Sequence, residues 1–173
     1  MSSIVALVRR FRRNRRGATA VEFAIVAPIF FALLFAIIEV AMIFFASQLL
    51  ETAVQDSSRL ILTRQAQDAS MSQSQFSTEV CNRVKMLLNC GSLHIDVQNY
   101  GSDFSTVSIT TPIDKDKNFV DNMQYNIGKA GDIIVVRAFY EWPLFVIGLG
   151  FDASNLSGGK RLLSATAAFR NEP

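Results

Sequence analysis

A chain of 173 residues with 17 Lys and Arg against 15 Asp and Glu has the size of one ordinary domain with room for an appendage. Its net charge of +2 conceals an asymmetry, because Arg9, Arg10, Arg12, Arg13, Arg15 and Arg16 all precede the first acidic residue. A basic tail on a mildly acidic body is compatible with nucleic acid, but the segment directly after the arginines points to a lipid bilayer instead.

Residues 18–46 contain Glu22 and Glu39 as their only ionisable side chains. A helix of that length extends roughly 43 Å, more than the bilayer's hydrocarbon core of about 30 Å. The stretch is therefore expected to be a membrane-spanning helix. Basic residues flanking a span stay on the cytoplasmic side, so the arginines place the N-terminus inside and everything after residue 46 outside. A secretory signal peptide also begins basic and then apolar. Its apolar region, however, runs to about 15 residues at most and ends at a small-residue cleavage site. Here the run is far longer, and FFASQLLETAVQDSSRLI at its far end shows no such site.

The helical pattern continues to about Gln67, with no Gly or Pro from Ile29 onward, which predicts a helical stalk over residues 47–70. The polar stretch DASMSQSQ breaks it, and Ser72 with Gln75 reads as a capping box. A short amphipathic helix follows, carrying Phe76, Val80, Val84, Leu87 and Leu88 at helical spacing. Asn89-Cys90-Gly91 ends it, glycine being the usual residue just past a helix C-terminus.

The period then changes. LHIDVQNY alternates Leu93, Ile95 and Val97 against polar neighbours, and FSTVSITT alternates through Val107 and Ile109. Residues 112–130 are polar and read as a long loop. DIIVVRAFYEW is β-branched and aromatic throughout, the composition of a central strand buried on both faces. Gly158-Gly159 is a turn and KRLLSATAAFR a final strand. The expectation is an α+β fold: residues 71–173 form one antiparallel sheet of about four strands with helices on one side, behind the membrane helix.

Cys81 and Cys90 fall in the exported part, where an oxidising compartment permits a disulfide. An even pair at this short spacing favours a bridge over two unpaired buried thiols. His94 is the only histidine and there is no third thiol, too few ligands for a metal site. His94 beside Asp96 reads as a surface histidine, and Asp114, Asp116 and Asp121 as solvated loop acids. Gly158-Gly159 lacks phosphate-binding spacing. No nucleophile–base pattern appears, so neither an enzyme nor a cofactor is expected.

The chemistry therefore returns to Glu22. A charge at the bilayer centre costs about 2.5–3.5 kcal/mol on insertion scales, and less near an end. If the chain is cut after Gly17, Ala18 becomes a new N-terminus with a positive α-amine. Glu22 then lies about 6 Å from it along the axis and can neutralise it, or the amine of a neighbouring subunit. A glycine before the cut leaves the scissile region free of side chain and easily drawn open. The carboxylate is a partner for a charge that processing creates.

Basic leader, glycine, cut, four residues, glutamate and a long apolar helix form the signature of prepilins of the type IV filament class. Within it, the chain resembles the TadE-like family, pseudopilins of tight adherence (Flp) pilus systems. RRGATAVEFAIVAP at residues 15–28, IIEVAMIF at 37–44, ETAVQDSSRLI at 51–61 and ATAAFRNEP at 165–173 carry the resemblance. It implies a leader over residues 1–17 that a prepilin peptidase removes between Gly17 and Ala18. It also implies a single-pass protein of the bacterial inner membrane, acting in pilus assembly and adherence beside other pilins and an assembly platform. Many type IV pilins begin with phenylalanine where this chain has Ala18, which leaves N-methylation open. The major Flp pilin is much shorter, so a minor role is implied. Two readings stand beside this one: an uncleaved single-pass protein whose outer domain binds a partner or senses a ligand, and an extracytoplasmic enzyme anchored by its N-terminus.

Overall fold

The computed structural model describes residues 17–146 and 152–173. The first element, α1, runs from Ala18–Leu62. The chain divides into two units, Met1–Ile38 and Glu39–Pro173, and α1 contributes to both. In the first unit the apolar side chains Val21, Phe23, Ile25, Val26, Ile29 and Phe30 are all exposed. Such a surface suits hydrocarbon and would be costly in water. Pro28 lies inside this part of the helix, where it removes one backbone donor, a defect that membrane helices tolerate.

The second unit behaves as a globular domain. Glu39, Ile43, Ala46, Leu50, Ala53, Val54, Ser57, Ser58 and Ile61 are all buried. Their spacing of three and four residues marks a single helical stripe facing a core. The segment over residues 47–70 therefore supplies much of the domain's packing. The helix stops at Leu62 although neither Gly nor Pro is present. Thr63 Oγ1 donates to the Arg59 carbonyl at 2.7 Å, and Arg64 turns left-handed with φ 65°, so α2, Gln65–Asp68, is a separate short turn rather than a continuation to Gln67.

Ser72 and Gln75 form the expected capping box at the start of α3, Gln73–Val84. Phe76, Val80 and Val84 are its buried face. The helix is shorter than the sequence suggests. Residues 85–87 form a turn and residue 88 a bend, and Asn89 Oδ1 accepts the Gly91 N–H at 2.9 Å, starting a 3-10 turn over Cys90–Ser92.

Three strands follow: β1 (Leu93–Asn99), β2 (Ile133–Pro143) and β3 (Lys160–Arg170). They form one antiparallel sheet in the order β1-β2-β3, with Asp96 opposite Arg137 and Arg137 opposite Thr166. The fold is α+β as expected, with three strands rather than about four. FSTVSITT is not a strand. Asp103 accepts the Ser105 N–H at 2.8 Å and starts a 3-10 turn over Phe104–Thr106, while Ile109 stays exposed. Alternation over so few residues cannot form a strand without a neighbour to pair with.

β2 is the central strand, and its two faces explain its unbroken apolar run. Ile134, Val136, Ala138, Tyr140 and Trp142 pack with the buried residues of α1 and α3. On the other face Phe139 packs with Leu156 and Leu162, and Ile113, Phe119 and Met123 of the long connection cover it. A layer of irregular chain thus does there what a second layer of helices would do.

Candidate assembly site

Gly17 precedes the first turn of α1 and its carbonyl accepts the Val21 N–H at 3.1 Å. A Cβ built at this position meets nothing within 4 Å, and its φ is outside the left-handed region. Neither crowding nor backbone conformation therefore asks for glycine here. Glu22 lies just beyond, exposed, and no hydrogen bond or ion pair engages its carboxylate among the described residues. Arg9, Arg10, Arg12, Arg13, Arg15 and Arg16 lie outside the described residues.

Glu39 is different in every respect. It is buried, with 5% exposure, and it begins the buried stripe of α1 in the second unit. Its Oε1 accepts the backbone N–H groups of Phe145 and of Val146, the latter at 3.2 Å, and Oε2 shares the Val146 donor at 3.2 Å. These donors follow directly on the end of β2, where the sheet no longer supplies acceptors. One carboxylate thus fastens the exit of the central strand to the helix. Charge-assisted hydrogen bonds to backbone N–H groups are the stronger kind, and burial excludes competing water. At about 100° per residue, a separation of 17 puts Glu22 and Glu39 on different faces of the helix, which says nothing of a partner. A contact 106 residues away leaves no periodic signal.

Residues 17–59 match the model of a family described as TadE-like protein. This segment is TadE-like. No curated protein and no solved structure matches the chain. The TadE-like segment begins at Gly17, contains both Glu22 and Glu39, and ends within the buried stripe of α1. It lies on the one helix among the described residues that is long and apolar enough to cross a membrane, and only 17% of that helix's most apolar window is buried within the chain, so that window does not pack in a core. The helix that carries the TadE-like match thus has the length and composition of a membrane anchor.

Beyond the TadE-like segment, the polar groups singled out in the sequence do structural work. Cys81 of α3 and Cys90 of the following turn form a disulfide with Cα atoms 5.6 Å apart, tying the helix to the entry of β1. His94 does not pair with Asp96. Its Nδ1 lies 3.1 Å from Asp121 Oδ2, and its ring packs on Phe119 at 4.6 Å between centroids. Asp96 is buried and pairs with Arg137, a pairing the sequence did not reveal. Asp114 accepts the N–H groups of Asp116 and Asn118; the Asn118 backbone bond leads in holding its carboxyl below the usual range. Burial raises the Tyr125 phenol, which packs on Phe76 at 6.0 Å between ring centroids. Among the described residues, no three His, Cys, Asp or Glu side chains are grouped to hold a metal ion. Gln98, Thr110, Asn122, Gln124 and Arg137 line a shallow cavity of about 200 Å³, in which Arg137 is already bound by Asp96 and by the Thr110 carbonyl.

Proposed function

We propose that this protein is a minor pilin, or pseudopilin, of a tight adherence (Flp) pilus. A prepilin peptidase cuts it between Gly17 and Ala18, and the mature chain acts in pilus assembly and surface adherence. The observation that carries the reading is the coincidence at Gly17. The TadE-like match starts there, and the residue is a glycine that the surrounding structure does not require. A glycine required by neither packing nor backbone is best explained by recognition, here by an endopeptidase acting on an open scissile bond.

The exposed Glu22 supports the second half of the reading. Its carboxylate stands free for the α-amine that cleavage creates, on the same subunit or the next. In this reading the six leader arginines hold the N-terminus at the cytoplasmic face of the inner membrane until the cut, with the domain that starts near Glu39 outside. Partners are then the peptidase, other pilins and pseudopilins, the inner-membrane assembly platform and the surrounding lipid. N-terminal sequencing of the protein extracted from its native membrane tests this directly. The expected mature chain begins at Ala18, and a chain that keeps residues 1–17 in piliated cells contradicts the proposal.

A further inference from the structure

The two edges of the sheet are treated differently. On β1 the chain covers its own edge: Val97 gives its N–H to the Gln124 carbonyl and accepts the Asn126 N–H, and Gln73 Nε2 donates to the Ile95 carbonyl at 3.2 Å. Val97 therefore faces away from β2. Its ladder partner Val136 then directs its backbone to β3, where it meets Ala167. Pairs alternate along an antiparallel ladder, so Leu163, Ala165 and Ala167 bond to β2 and the residues between them point outward.

Both ends of this outer edge of β3 are capped. The Leu162 N–H is taken by Asn155 Oδ1 at 2.7 Å, and the Lys160 carbonyl accepts the N–H groups of Asn155 and Leu156. Beyond the strand, Glu172 donates its N–H to the Leu62 carbonyl at 2.9 Å. Between the caps, no hydrogen bond engages the backbone N–H or C=O of Ser164, Thr166, Ala168 or Arg170 among the described residues, and all four residues are exposed. Such an edge is normally blunted by a charge, a proline or a bulge. From Ser164 to Phe169 there is no charge and no proline, and the register with β2 is unbroken. Arg161 and Arg170 flank this stretch. Their side chains reach the carbonyls of Ala153 and Ser102, and neither forms an ion pair among the described residues.

We propose that the outer edge of β3 accepts an extended segment of another polypeptide as a further strand, and that this segment carries a carboxylate near each end of the paired stretch. Donors and acceptors alternating at strand spacing are matched in series by another extended backbone, which names the kind of occupant. A second copy of β3 is disfavoured. It would set Lys160, Arg161 and Arg170 of one chain alongside the same cations of the other, with no acid in either strand, and like charges across a ladder repel. Carboxylates in a partner strand would instead meet the two arginines. The surface lies wholly within the second unit, so it does not depend on processing at Gly17.

The test uses full-length protein in detergent micelles and a synthetic strand of alternating threonine and valine, with a glutamate at each end spaced to meet Arg161 and Arg170. Hydrogen–deuterium exchange resolved to single amides is the readout. In the protein alone, the Ser164, Thr166 and Ala168 amides should exchange fast and those of Ala165 and Ala167 slowly. The peptide should slow the first set. It should bind about tenfold tighter than the same strand ended in lysine. Thr166→Pro should abolish binding, because this N–H points outward, where an edge strand tolerates proline. Slow exchange at Ala165 in that variant confirms that the ladder with β2 is intact. Binding unchanged by Thr166→Pro overturns the edge as the site, and equal affinity for the two peptides overturns the requirement for carboxylates. Outward amides protected in the protein alone, and more so at higher concentration, overturn the proposal in favour of a second copy. No added protection from the glutamate-ended peptide overturns it outright.

Discussion

Arg137 Nη2 lies 2.6 Å from Asp96 Oδ2, and both side chains are almost fully buried. The two residues are Cα partners across β1 and β2, and Arg137 Nε donates to the same oxygen at 2.9 Å. The other carboxylate oxygen accepts the Gln124 N–H at 2.8 Å, and Arg137 Nη1 donates to the Thr110 carbonyl at 2.7 Å. The pair therefore fastens both arms of the long connection onto the outer face of the sheet. Each charge also makes a hydrogen bond to the backbone of the connection, which helps a buried pair to be tolerated.

Removing one partner should be much worse than removing both. Asp96→Leu leaves a buried guanidinium without its counter-charge, which costs about 3–5 kcal/mol. The double variant Asp96→Leu with Arg137→Met removes the uncompensated charge and should recover most of that loss. Urea unfolding of the full-length protein in detergent, followed by Trp142 fluorescence, gives the midpoints. A double variant no more stable than the single one would contradict the account of this pair.

A second expectation concerns acid. Asp132 accepts the Lys129 N–H at 3.0 Å and the Asn99 amide at 2.9 Å. The Lys129 backbone bond leads in lowering its pKa. Gly128 makes this corner possible, because at φ +61° a Cβ there would come within 3.0 Å of both Asn99 and Asp132. A group whose folded pKa is depressed contributes stability that is present above the unfolded value, about 3.9. That contribution disappears as pH falls through the folded pKa. Asp103 and Asp152 are lowered mainly by the side chains of Ser105 and Ser154, and act in the same window. Stability should thus change little from neutral pH to about pH 5 and decline below about pH 4. In Asp132→Asn the decline should be shallower, as read from thermal unfolding at each pH.

The disulfide stabilises by constraining the unfolded chain, and a loop this short yields at most about 3 kcal/mol. Cys81→Ser with Cys90→Ser should therefore remain folded but unfold at lower urea, by no more than that amount. Alkylation of protein extracted from membranes should find both cysteines protected until a reductant is added.

Much of the architecture is legible in the residues because it is local. The apolar run after Gly17, the Ser72–Gln75 box and the β-branched run of β2 each carry their structure in their own spacing and composition. What escapes is the product of contacts between distant segments. The left-handed turn at Arg64 ends α1 without a breaker residue. FSTVSITT alternates like a strand, yet Thr110 gives its carbonyl to Arg137 rather than to a ladder. Glu39 looks like a lone acid near the end of a span, and its partners belong to residues 145 and 146. The Gly17–Glu22 motif rests on spacing alone: among the described residues nothing crowds Gly17 and no hydrogen bond or ion pair engages the Glu22 carboxylate.

The central claim is that Gly17 and Glu22 do separable work, one before cleavage and one after. A bulky residue at Gly17 should block the peptidase without disturbing the fold, since a Cβ there meets no neighbour. Glu22→Ala should be cut normally but leave the new α-amine unpaired in an apolar environment, at a cost of several kcal/mol. The most direct test is the intact mass of Gly17→Leu and Glu22→Ala, each expressed in its native host, alongside pilus counts and surface adherence. The account predicts full-length Gly17→Leu, mature Glu22→Ala beginning at Ala18, and loss of pili in both. Normal piliation by cells whose Gly17→Leu protein remains uncut would contradict it.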